Sequence, residues 1–154
     1  MSIEAGDKAP DFTLPTDGNG TVSLKGLRGK TVVLYFYPKD DTSGCTKEAC
    51  GFRDRLADFT KAGAVVIGVS RDSVDSHDRF KKKHALPFTL ASDRDGTVCS
   101  AYGAWVEKSL YGRKYMGIDR STFLIDGKGV VRRVWRKVKV PGHVEAVLEA
   151  VRGL

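Results

Sequence analysis

Hydrophobic positions along the chain follow two rhythms, and the switches between them mark the predicted elements. Phe12-Thr13-Leu14 and Thr21-Val22-Ser23-Leu24 flank Asp17-Gly18-Asn19-Gly20. This is a hairpin signal, because Gly and Asn supply the positive φ of a tight turn. Thr31 to Tyr37 is β-branched and aromatic with little polarity, which suits a strand buried on both faces, and Pro38 stops it. From about Cys45 to Lys61 the rhythm turns helical: Phe52, Leu56 and Phe59 recur at spacings of four and three and form one stripe. Gly63 follows as a C-terminal glycine. Ala64 to Val69 reads as a second buried strand. Ser73 to His84 reads as a helix whose Ser start and Lys81-Lys82-Lys83 finish suit the helix dipole. Phe88 to Ala91 is a short strand, Thr97 to Tyr102 a short helix, and the aromatic stretch from Tyr102 to Tyr115 a long loop. Arg120 to Ile125 and Val130 to Val138 are strands about the turn Asp126-Gly127-Lys128-Gly129, and His143 to Arg152 is the closing helix.

Strand–helix alternation followed by a hairpin implies an α/β protein whose sheet is parallel in one part and antiparallel in another. The expected architecture is a mixed central sheet with helices on both faces and an N-terminal β-hairpin extension, and its order resembles the thioredoxin-like fold. A length of 154 residues suits one domain over residues 1–154. The longest apolar run, Val32 to Tyr37, is six residues, far short of the ~20 a membrane span needs. The first residues, Met1-Ser2-Ile3-Glu4-Ala5-Gly6-Asp7, carry neither a secretory signal pattern nor a lipid-anchor motif. Three cysteines are too few, and odd in number, for a secreted disulfide scaffold, so a reducing, cytoplasmic setting is expected.

The chemistry concentrates in Tyr35-Phe36-Tyr37-Pro38-Lys39-Asp40-Asp41-Thr42-Ser43-Gly44-Cys45-Thr46-Lys47-Glu48-Ala49-Cys50. A buried strand ends, a loop turns, and a helix begins at a cysteine, with Thr42 or Ser43 available as its cap. Thiols react as thiolates, and a helix N-terminus favours the anion through its partial positive charge and free N–H groups. A lone cysteine in another context would read as a small buried hydrophobe. Cys50 lies five residues on, and an ideal helix sets the two Cα atoms ~8–9 Å apart, beyond the ~7 Å limit for a disulfide. If the two cysteines bond, the first turns of the helix must unwind. Such a bond suits a redox cycle better than a static staple; otherwise Cys50 simply packs.

These residues resemble a peroxiredoxin, and within that family the peroxiredoxin Q or bacterioferritin comigratory protein group. The family's Pro-x-x-x-Thr/Ser-x-x-Cys pattern is met by Pro38, Thr42 and Cys45. The likeness extends over nearly the whole chain, through Ala9-Pro10-Asp11-Phe12, Gly68-Val69-Ser70-Arg71-Asp72-Ser73, Leu86-Pro87-Phe88 and Arg120-Ser121-Thr122-Phe123-Leu124-Ile125-Asp126. The resemblance implies a thiol peroxidase acting on hydrogen peroxide and organic hydroperoxides. Cys45 resembles the peroxidatic cysteine, which becomes a sulfenic acid, and Cys50 the resolving cysteine that traps it as a disulfide. A thioredoxin-like reductant would then recycle that disulfide. Thr42 is similar to the hydroxyl that bonds peroxide and thiolate, Arg120 to the family's arginine at the start of the penultimate strand, and Pro38 to the residue that shapes the pocket. No cofactor and no metal are implied, and a monomer is the expected working state. Ser43 departs from the proline that related sequences often carry after the threonine, which bears on loop rigidity.

Other features are weighed against this reading. Cys-x4-Cys with a distant Cys99 is a poor zinc pattern, and His77, His84 and His143 show no ligand spacing. Cys99 reads as passive. The net charge of +7 is mostly local: residues 128–139 hold six basic side chains and no acid. Arg132, Arg133, Arg136, Lys137 and Lys139 around Trp135 allow a single-strand nucleic-acid reading, but poor alternation splits them between sheet faces, and a solvated edge strand is the plainer account. The alternative enzyme class, a thioredoxin-type disulfide oxidoreductase, calls for Cys-x-x-Cys, which this chain lacks.

Overall fold

The computed structural model describes residues 3–154. Its centre is β3 (Thr31–Phe36), whose side chains are almost all buried. Two faces share that burial. Val33, Tyr35 and Tyr37 enter one core and Val32, Leu34 and Phe36 the other, as the two-residue repeat of a strand requires. β3 pairs in parallel with β4 (Ala64–Ser70), and β4 in parallel with β5 (Thr89–Ser92). On its other side β3 pairs antiparallel with β8 (Ser121–Ile125), which pairs antiparallel with β9 (Val131–Trp135). The N-terminal hairpin, β1 (Thr13–Thr16) and β2 (Gly20–Ser23), joins through Thr16 opposite Ala91 and completes a seven-stranded sheet in the order β2-β1-β5-β4-β3-β8-β9.

Helices α1 (Ser43–Lys61), α2 (Val74–His84) and α4 (His143–Arg152) supply the core on the Tyr35 face: Phe52 and Phe59 from α1, Phe80 from α2, Val147 and Leu148 from α4. The short α3 (Thr97–Ala101) and the N-terminal segment cover the other face through Val98, Tyr102, Ala9 and Phe12. The mixed sheet with helices on both faces is the expected architecture.

Two expectations change. The stretch from Tyr102 to Tyr115 is not a loop: β6 (Trp105–Leu110) and β7 (Arg113–Ile118) pair antiparallel from Trp105 opposite Ile118 to Leu110 opposite Arg113. Tyr111 and Gly112 both have positive φ, 51° and 76°, the backbone of a two-residue hairpin turn that matches strand twist. The second change is at β9, which ends at Trp135 rather than Val138. Lys137 takes φ 48°, which breaks the extended backbone.

Candidate active site

Parallel β3 ends at Phe36, and β8, running the other way, begins opposite it, with Ser121 across from Phe36. Arg120 therefore arrives where β3 hands the chain to the loop before α1. This is the carboxyl edge of the parallel strands, where α/β sheets place their sites. Cys45 lies in the first turn of α1 and is 1% exposed. Arg120 Nη2 donates to Cys45 Sγ at 3.2 Å, and Arg120 Nη1 donates to Glu48 Oε1 at 2.6 Å. One planar guanidinium thus spans the sulfur and a carboxylate one helical turn apart, a fork that a lysine could not supply. The first helical hydrogen bond runs from Thr46 N–H to the Thr42 carbonyl. The amides just before it lack intrahelical partners and add positive potential beside Cys45.

Glu48 is fully buried, and its second oxygen, Oε2, has no hydrogen-bond partner among the described residues. Burial pushes its carboxyl up to about 7 against the opposing pull of Arg120. For Arg120 burial works against the charge, but Glu48 and Cys45 outweigh it and hold the guanidinium above its ordinary value. His143, at the start of α4, faces Thr122 with Nε2 2.8 Å from Oγ1. Burial, with the Arg120 charge behind it, pushes this imidazole down to about 4. Sequence reasoning missed Glu48 and His143. Glu48 stands three residues after Cys45 on the buried stripe of α1, and a carboxylate on an apolar stripe is the signal that could have found it.

The remaining expected residues are distributed around this centre. Thr42 is the N-cap residue of α1, but its side chain makes no cap bond; its hydroxyl donates to the Lys39 carbonyl at 2.9 Å. Pro38 is exposed and lines a cavity with Arg71, Trp105, Tyr115, Met116 and Ile118, so the β6–β7 hairpin walls the loop on that side. Cys50 is half-buried on α1, and all three cysteines are free thiols. α1 is continuous across both Cys45 and Cys50. Cys99 is fully buried with its N–H on Asp93 Oδ2 at 2.7 Å; burial and the adjacent Asp93 push its thiol far above the ordinary range, away from the thiolate form that reacts.

The AhpC/TSA family profile matches residues 5–134. The chain belongs to that family. A homologue from Coxiella burnetii is 62% identical over 148 residues, covering 96% of this chain and 98% of its own. Peroxiredoxin Bcp of Bacillus subtilis is 50% identical over 154 residues, covering 100% of this chain and 98% of its own. Among solved structures, a cysteine-to-serine variant of PrxQ from Xylella fastidiosa superposes with a TM-score of 0.94 at 39% identity, over 99% of this chain and 98% of that one. Peroxiredoxin Q of Xanthomonas campestris does so with 0.89 at 47% identity, over 92% and 90%. The chain is thus a peroxiredoxin of the peroxiredoxin Q and Bcp group, and its activity is that of a thiol peroxidase rather than of a thioredoxin-type oxidoreductase. No helix among the described residues is long and apolar enough to cross a membrane.

Proposed function

We propose that Cys45 is the peroxidatic cysteine and Cys50 its resolving partner, within one domain that reduces hydrogen peroxide and organic hydroperoxides. The observation that carries this reading is the Arg120 guanidinium donating to Cys45 Sγ at 3.2 Å at the start of α1. The Cys45 thiolate attacks the terminal oxygen of ROOH. An S–O bond forms, the O–O bond breaks, and the departing RO⁻ takes a proton to leave as ROH. Negative charge grows on that oxygen, and Arg120 and the free amides of the first turn are the donors able to stabilise it, joined by the Thr42 hydroxyl when it turns from the Lys39 carbonyl. Pro38 walls the approach. Cys50 then attacks the sulfenic acid, forming the Cys45–Cys50 bond and releasing water. A dithiol donor of thioredoxin type reduces that bond to two thiols and becomes a disulfide itself. The net reaction is ROOH plus donor dithiol giving ROH, water and donor disulfide.

The reported alkyl peroxide reduction activity of the Xanthomonas campestris bacterioferritin comigratory protein, 46% identical to this chain, supports organic hydroperoxides as substrates. We place the protein in the cytoplasm, where a reducing setting keeps such thiols available, and take a monomer as its working state.

Intact mass after one equivalent of hydrogen peroxide tests the reading. Loss of two hydrogens with Cys45 and Cys50 linked in the peptide map is expected. Cys45→Ser should abolish turnover. Cys50→Ser should consume about one equivalent and then stall without a small-thiol reductant. An unchanged mass in wild-type protein, or turnover retained by Cys45→Ser, overturns it.

A further inference from the structure

Asp40 lies in the loop between β3 and α1 and is buried, although it carries a carboxylate. Both carboxylate oxygens and the backbone N–H are hydrogen-bonded. Oδ1 accepts from Tyr37 OH at 2.6 Å; Oδ2 accepts from Ser76 Oγ at 2.8 Å and lies 2.7 Å from His77 Nδ1. Its backbone N–H donates to Asp72 Oδ2 at 2.8 Å, which also accepts from Ser70 Oγ at 2.7 Å. His77 is completely buried, and its Nε2 faces the Ala91 carbonyl at 2.9 Å. A carbonyl only accepts, so Nε2 carries the hydrogen that faces Ala91, and a second hydrogen bridges Nδ1 and Asp40 Oδ2. Burial works against a charged ring, but Asp40 and the Ala91 carbonyl outweigh it and hold the imidazole above its ordinary value. One loop residue is thereby fixed to β3, to the end of β4, to α2 and, through His77, to β5. The next residue, Asp41, has φ +60° and holds the C-terminal end of α2 through Lys83 Nζ at 2.8 Å and His84 Nε2 at 3.0 Å.

A second fixed point lies downstream. Phe52 is completely buried, stacks on Tyr35 with ring centroids 4.7 Å apart, and meets Phe59 and Phe88. Residues 42–51 lie between the two anchors and contain both Cys45 and Cys50. That stretch also carries Gly44 and Gly51, both weak helix formers. Its contacts to the rest of the molecule include the Arg120 fork to Cys45 and Glu48, and oxidation of the sulfur alters the arm to Cys45.

We propose that the buried Asp40–His77 pair positions the loop that carries Cys45, pinning Pro38–Asp41 to α2 so that the unwinding that joins Cys45 to Cys50 stays within residues 42–51. This rests on the cysteine cycle proposed above. Asp40 and His77 touch no reacting atom; they act through the loop. Attack on peroxide needs the loop in place, because Cys45, Arg120 and the first-turn amides must converge. Condensation of the sulfenic acid with Cys50, which releases water, needs only that the segment opens.

The test separates the two steps. Peroxide oxidation of Cys45 is timed in a Cys50→Ser background, with Asp40 intact and with Asp40→Asn. Disulfide formation is timed by quenched intact mass in the two-cysteine protein with the same change. Asp40→Asn should slow oxidation while leaving condensation unslowed, so that the ratio of the two rates rises roughly tenfold or more. A ratio that rises by less than about threefold overturns the proposal, since a merely structural residue would move both steps together. His77→Gln should reproduce the split, and the double variant should add little to either single one. Backbone deuterium uptake of the oxidised wild-type protein provides a reading that needs no variant. Uptake should rise over residues 42–51 and not over 38–41; a rise across Pro38–Asp41 overturns the anchor. Failure of the disulfide to form at all would instead overturn the cysteine cycle, and the oxidation rates in the Cys50→Ser background would still judge Asp40.

Discussion

Arg120 joins residues that the chain keeps far from it: Cys45 and Glu48 of α1 and, through the charge it projects, His143 of α4. Its fork makes a direct prediction. Arg120→Lys keeps the positive charge but cannot bridge Sγ and Oε1 together, so peroxide turnover should fall about a hundredfold, the scale of losing one transition-state donor. Stopped-flow peroxide consumption checks it, and near-normal turnover would remove Arg120 from the mechanism. Glu48 and His143 predict opposite responses to pH. Glu48, raised from 4.5 to about 7 by burial, contributes stability that is full below pH 4.5 and lost as the pH rises through 7. His143, lowered from 6.5 to about 4, contributes stability that is present above pH 6.5 and lost as the pH falls through 4. The two windows overlap and partly cancel in the wild-type protein. Glu48→Gln should therefore gain stability relative to wild type between pH 4.5 and 7, as read by urea unfolding at each pH. A constant difference across that range would mean that Glu48 is ionised throughout.

The elements around the site depend on close backbone approach. Gly68 in β4 sits opposite Tyr35 of β3, and a Cβ there would meet Tyr35 Cζ at 2.8 Å, its hydroxyl oxygen at 2.9 Å and Leu90 Cδ2 at 3.1 Å. The Tyr35 ring cannot retreat, because it stacks on Phe52 of α1. Gly68→Ala should destabilise the protein by about 1–3 kcal/mol, the usual cost of overpacking a core, measured by urea unfolding. A neutral result would show that the Tyr35–Phe52 stack yields easily. A glycine inside a strand is a known mark of close approach, so this constraint was open to sequence reading. The β6–β7 hairpin was legible too, in hindsight, from the two-residue Tyr111-Gly112 turn. It was missed because its strands are half-exposed and show no buried stripe: Leu110, Tyr111, Tyr115 and Met116 all face solvent.

Across the whole molecule, the basic segment near the C-terminus does not assemble into a patch. Arg136 turns inward, donating to the carbonyls of Ile3, Tyr102 and Gly103 and lying over Phe123. Arg133 lies over Trp135, and Arg132 pairs with Asp126. Single-strand binding needs cations aligned along a groove with exposed aromatic platforms, and here the three arginines serve separate neighbours. A generic oligonucleotide should show no retarded band at physiological salt; a retarded band would reopen the nucleic-acid reading.

Taken alone, the sequence determined most of the elements and singled out the segment proposed as the reactive centre. Burial periodicity is a local property: the apolar run of β3, the stripe of α1 and the glycine after it can be read within a window of a few residues. The loop–cysteine–helix junction is local as well, so Cys45 and Cys50 stood out, and Pro38, Thr42 and Arg120 followed by resemblance. Contacts between residues far apart in the chain were out of reach. No window contains both Cys45 and Arg120, so the guanidinium looked like any strand-edge arginine until β8 was set antiparallel beside β3. Glu48, His143 and the Asp40–His77 pair were invisible for the same reason. Their charge states depend on burial and on partners from other strands and helices, and desolvation is a property of the packed molecule rather than of the residue.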